Sequence, residues 1–154
     1  MRRTVFAAAA LLGAAVCAAP ALAQQEVRAS SMPLLLIERS QDTAFRSDEI
    51  ELELPPQGQD GSQMEYKLAM TAGQFALYSL TASHPVTAEF HGHAVSGEGV
   101  IFYREQAEAT ESHGQFIAPM DGIHGWYLSN PHDHPVTVTI RAAGYYELTD
   151  PIRF

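Results

Sequence analysis

The chain has 154 residues, with eighteen acidic against nine basic side chains, a formal charge of −9, seven histidines and one cysteine. An acidic balance of this size repels nucleic acid and anionic membrane surfaces and attracts cations. A single cysteine excludes an internal disulfide framework, so stability has to come from burying apolar surface.

At the N-terminus, Arg2 and Arg3 open a basic region, an apolar run follows from about Val5 to Val16, and Ala21-Leu22-Ala23 forms a small-x-small cleavage site. These features predict a signal peptide over residues 1–23, a mature chain starting near Gln24, and a periplasmic location in a bacterial envelope. The apolar run is also about long enough to span a bilayer. An uncleaved leader is therefore the alternative, and membrane attachment is expected only in that case. Pro20 and the Ala-x-Ala ending favour cleavage. The paired arginines suggest twin-arginine export, yet the usual Ser before them and the Lys after them are missing. Val16 argues against a lipoprotein site at Cys17. The leader holds two basic residues, no acidic ones and the only cysteine. Its removal leaves a thiol-free chain with a charge of about −11.

Residues 24–44 read as a tether: a polar stretch over 24–33, a short apolar run from Leu34 to Ile37 that suits an edge strand or a docking segment, and a charged connection beyond it. The domain is expected over residues 45–154. Glu49-Ile50-Glu51-Leu52-Glu53-Leu54 alternates with period two, which predicts a strand with one buried face. Pro55-Pro56 ends it and the Gly58–Gly61 stretch makes a turn. Met64, Tyr66, Leu68 and Met70 alternate again, and Phe75 to Leu80 reads as a more fully buried strand. Val86 to His91 and Val100 to Tyr103 read as shorter strands around a glycine-bearing loop, and Glu105–Glu111 as a helical turn. Phe116-Ile117, Ile123 to Leu128, Val136 to Ile140 and Tyr145-Tyr146 continue the series. Many short strands with turns about every ten residues predict an all-β fold, an antiparallel β-sandwich or jelly roll behind the signal peptide.

The stretch Phe116-Ile-Ala-Pro-Met-Asp-Gly-Ile-His-Gly-Trp-Tyr-Leu-Ser-Asn130, followed by Pro135-Val-Thr-Val-Thr-Ile140 and Gly144-Tyr-Tyr146, resembles a family of small bacterial envelope proteins usually labelled "transmembrane anchor protein". Phe45-Arg-Ser-Asp-Glu-Ile50, Glu65-Tyr-Lys-Leu68 and Phe90-His-Gly92 extend the resemblance over about residues 45–147. It implies an envelope location and offers no catalytic residues to carry over. Members often carry a membrane helix where this chain carries a cleavable leader. The layout is more distantly similar to GOLD-type and pre-peptidase C-terminal sandwiches, which are binding or cargo modules. Read without any family, Asp121-Gly122 supplies a tight turn and Trp126, the only tryptophan, is expected in the core.

The histidines carry the functional expectation. Residues i and i+2 of a strand share a face about 7 Å apart, so His91 and His93 can converge on one ion held at about 2.0–2.1 Å per Zn–N bond. His132 and His134 lie between Pro131 and Pro135 in an expected loop, where Asp133 can hold the loop or donate an oxygen. His124, inside the recognised motif, suits either a third ligand or a buried imidazole bonded to backbone. His84 and His113 are expected on surface turns. Neutral imidazole without thiolate suits zinc, copper(II) or nickel. His91-x-His93 followed by Glu98 also matches the His-x-His-(x)4-Glu core of a cupin metal motif, although the flanking glycine positions fall on Pro85 and Glu105. The leading expectation is a non-enzymatic exported β-sandwich that binds a divalent transition metal (Zn, Cu or Ni) and serves envelope metal handling. Its expected ligands are His91, His93 and His124, with Glu98 nominated by the cupin pattern and His132 and His134 as a second site. The alternatives are a protein- or glycan-interaction module built on Trp126-Tyr127, with an envelope protein as partner, and a cupin-like metalloenzyme.

Overall fold

The computed structural model describes residues 39–97 and 99–154. The expected leader, most of the tether, the Leu34–Ile37 run and Glu98 lie outside the described residues. The described residues form eight strands: β1 (Arg46–Leu54), β2 (Gln63–Met70), β3 (Phe75–Ala94), β4 (Val100–Ile117), β5 (Gly122–Ser129), β6 (Val136–Gly144), β7 (Glu147–Leu148) and β8 (Ile152–Arg153). Every pairing is antiparallel. The all-β class follows from the alternation seen in sequence. Leu52 and Leu54 are buried while Glu49, Glu51 and Glu53 face out; Met64, Tyr66, Leu68 and Met70 of β2 and Val136, Val138 and Ile140 of β6 point into the core.

The strand order is β1-β6-β3-β5-β2-β7, with β4 also paired to β3 and β8 to β2. Strand β3 gives the sheet its curl. Residues Ala76–Ala82 pair with β6, and Thr87–Ala94 pair with β5. Between them the register with β4 steps from Thr81↔Glu111 to Val86↔Ala109, which leaves three extra residues on β3. Ser83-His84-Pro85 lie in that step, and Pro85 has no N–H to offer a ladder. A bulge of this kind bends and twists its strand. The two halves of the sheet thus face each other as in a sandwich, and Tyr78 from one half meets Trp126 from the other at 5.2 Å between ring centroids. Trp126, 2% exposed, sits in the core beside Phe90. Each fully buried Leu, Val, Ile or Met there contributes about 1.5–3 kcal/mol.

Three local expectations change. Phe75–Leu80 and Val86–His91 are one strand of 20 residues, because Ser83-His84-Pro85 forms a bulge rather than a break. Glu105–Glu111 is extended within the 18 residues of β4, since pairing with β3 satisfies its backbone whatever its side-chain pattern. His84 and His113 are exposed as expected, but on strands rather than turns.

A second irregularity matters for the site. Phe90 pairs with Arg104 while His91 pairs with Phe102, so Tyr103 is an extra residue on β4. The bulge turns Tyr103 and Arg104 to the same side. Tyr103 Oη lies 2.9 Å from His124 Nδ1, and Arg104 donates to Tyr78 Oη at 2.6 Å and Ser112 Oγ at 3.1 Å.

Candidate metal centre

Strands β2, β5 and β3 lie side by side, and alternation sets what each face carries. The even-numbered residues Tyr66, Leu68, His124, Trp126, Phe90 and Gly92 face the core. The odd-numbered ones make three rows on the opposite face: Glu65, Tyr127 and Glu89; Lys67, Gly125 and His91; Ala69, Ile123 and His93. Two strand spacings, about 9–10 Å, separate Lys67 from His91 at the backbone. Gly125 stands between them without a side chain, so Lys67 reaches across it. A Cβ on Gly125 would meet Tyr66 O at 2.1 Å and Lys67 Cα at 2.8 Å.

This gap gathers four polar groups. Lys67 Nζ donates to His91 Nε2 at 2.6 Å and lies 3.5 Å from Glu65 Oε2; Glu65 Oε1 is 3.3 Å from His91 Nε2. His91 Nδ1 faces the Glu89 carbonyl at 3.3 Å, and a carbonyl only accepts. The ring proton therefore resides on Nδ1, and the Nε2 lone pair points into the cluster. The His93 ring stands edge-on to His91, with centroids 5.1 Å apart, and its Nε2 is buried with no hydrogen-bond partner among the described residues. One ligand atom each from Glu65, His91 and His93 lies within 4.8 Å of the other two. Ligands about 2.0–2.2 Å from a tetrahedral ion stand roughly 3.5 Å apart, so small side-chain rotations close the set.

The electrostatics follow from burial. Lys67 is 1% exposed, and desolvation pushes its amine down to about 8 against the opposing pull of Glu65. The same desolvation, helped by the Lys67 charge, lowers the His91 pKa and keeps the ring neutral. Lys67 is thus a built-in cation on the nitrogen that a metal would take. Phe102 packs on the outer side of His91 at 5.4 Å between centroids.

The other expected ligands are placed elsewhere. His124 is fully buried on the core face, away from the face bearing His91 and His93. Its Nε2–H donates to Met120 O at 3.1 Å and its Nδ1 accepts from Tyr103 Oη at 2.9 Å, so both nitrogens are engaged. Burial lowers its pKa, outweighing the Met120 bond. Gly92 provides the room for this pair, because a Cβ there would lie 2.3 Å from His124 Nδ1 and 2.5 Å from Tyr103 Oη. His132 and His134 occupy the loop between β5 and β6, where Asn130 holds them. Its side-chain amide donates to Leu54 O, Pro55 O and His134 O, and its Oδ1 accepts from His132 N. His91, His93 and His124 therefore do not converge as a cupin arrangement requires, and Trp126 lies inside the core rather than on a recognition surface.

Sequence reasoning found His91 and His93 and missed Glu65 and Lys67. One signal was present: the core alternation of Met64, Tyr66, Leu68 and Met70 sends both to the opposite face. What sequence lacked was the strand order that carries β2 to within reach of β3. No protein-family model matches the chain, and no curated protein is significantly similar to it.

Proposed function

We propose that the protein binds a divalent transition-metal ion, zinc, copper(II) or nickel, through Glu65, His91 and His93, and serves metal handling in the cell envelope without catalysis. The observation that carries this reading is His93 Nε2, a buried nitrogen with no partner among the described residues, beside a neutral imidazole and a carboxylate. A buried unsatisfied polar atom costs about 1–3 kcal/mol, so it calls for an occupant. Two imidazoles and a carboxylate make a donor set suited to zinc, with the fourth position open. Binding displaces the Lys67 ammonium from His91. The basic start, apolar run and small-x-small site of residues 1–23 support the envelope role.

The test is calorimetric titration of the full chain with Zn(II), Cu(II) and Ni(II), alongside His91→Ala and His93→Ala. An equivalent binding more tightly than about 10 μM that is missing from both variants, whatever else they bind, is the expected result. Weaker binding, or binding indifferent to both substitutions, overturns the proposal.

A further inference from the structure

A second group of imidazoles gathers where the β3 bulge meets the loop between β5 and β6. His84 comes from the bulge, His132 and His134 from the loop. Their ring centroids are 5.8 Å apart for His84 and His132, 4.6 Å for His84 and His134, and 5.1 Å for His132 and His134. An ion bound at about 2.0–2.1 Å to three ring nitrogens in tetrahedral geometry holds the ring centres roughly 5 Å apart. The ring centres stand near that spacing, although their nitrogens do not yet converge within ligand distance of one another.

Among the described residues, hydrogen bonding leaves each ring one free nitrogen. His132 Nε2–H donates to Pro85 O at 2.8 Å, which leaves Nδ1 as the lone-pair nitrogen. His134 Nδ1 lies 3.1 Å from Asp133 Oδ1, and a carboxylate accepts, so Nε2 is free. His84 Nδ1 rests 3.4 Å from Ser83 Oγ, leaving its Nε2. Metal-bound histidines typically have this form, with one nitrogen for the ion and the other held by a carbonyl or carboxylate that fixes the tautomer. The loop is also rigid before anything binds. Asn130, 1% exposed, ties it to β1 and to both histidines, and Pro131 and Pro135 restrict its ends.

We infer that His84, His132 and His134 form a second, surface site for an imidazole-seeking divalent ion such as Cu(II), independent of the Glu65–His91–His93 cluster. The rings now meet edge to face across His84, so closure needs rotation of the exposed His84 and His134 side chains while His132 stays fixed by Pro85. The site lies open to solvent, which suits rapid loading. The chain's net charge of −9 favours the approach of cations.

The test uses full chain carrying His91→Ala and His93→Ala, which removes the first cluster and leaves the second intact. Cu(II) titration followed by electron paramagnetic resonance is expected to show one equivalent with nitrogen hyperfine structure from three imidazoles. Adding His84→Ala or His134→Ala, both exposed and free of structural bonds to the core, is expected to weaken binding at least tenfold, and Asp133→Asn by about tenfold. Absence of the equivalent, or an affinity unchanged by His84→Ala and His134→Ala, overturns the inference. Wild-type chain that binds two equivalents and loses one with each set of variants separates this site from the first.

Discussion

Lys67 holds the position at which the candidate centre is decided. Its ammonium sits 2.6 Å from the nitrogen an ion would bind and 3.5 Å from the carboxylate that would share it. A like charge about 4 Å from an incoming cation costs several kcal/mol at an effective dielectric of about 20, part of which is relieved as the ammonium swings away or sheds its proton. Lys67→Met keeps the buried stem and removes the charge. Zn(II) affinity measured by calorimetry is expected to rise at least tenfold; an unchanged or weaker affinity shows that Lys67 does not compete for the site. His93 contrasts with it. Its buried nitrogen has no partner to lose among the described residues, so His93→Ala is expected to cost binding without a comparable loss of stability.

At the scale of the strands, two glycines divide the work between the faces of the sheet. Gly125 lets Lys67 reach His91 on the outer face, and Gly92 makes room for the His124–Tyr103 bond on the inner one. Gly92→Ala drives a methyl into both partners of that bond and is expected to destabilise the fold by about 1–3 kcal/mol, read as a shift in the urea midpoint with an unchanged slope. A midpoint equal to wild type would mean that Tyr103 and His124 move aside freely. The same strands show what a sequence makes legible. Strands β1, β2, β5 and β6 each have one face in the core, so their alternation is visible. Among the described strands β4 pairs with β3 alone, and its Arg104–Glu111 stretch carries charges on both faces, which hides the period. His91 and His93 lie two residues apart and are readable as a pair. Glu65 joins them only because β2 and β3 flank the same neighbour, a pairing across more than twenty residues that no local pattern records.

For the molecule as a whole, acid is the expected weakness, in two stages. His124 and His91 have pKa values lowered below 6.5, mainly by burial. The unfolded chain therefore takes up protons that the folded one refuses as pH falls below about 6.5, and stability declines until the depressed native values are reached. Asp48 forms the second stage. Its two bonds from Arg46, at 2.7 and 3.0 Å, together with the Tyr146 hydroxyl at 2.9 Å, hold its carboxyl below the ordinary 3.8. That stabilisation is present above the unfolded value and is lost as pH falls through the native one. Thermal unfolding of metal-free protein by circular dichroism is expected to show Tm falling from about pH 6.5 and again below about 3.8. A Tm constant from pH 7 to 5 would contradict the first stage, and Asp48→Asn is expected to flatten the second.

The lysine lodged among the ligands has one more consequence. In domains that need zinc to fold, the empty site is a knot of unsatisfied donors, and ion and structure arrive together. Here the chain brings its own positive charge to His91 and Glu65, so the strands can pair with no ion in place. An ion held at the proposed site would therefore leave without taking the fold with it.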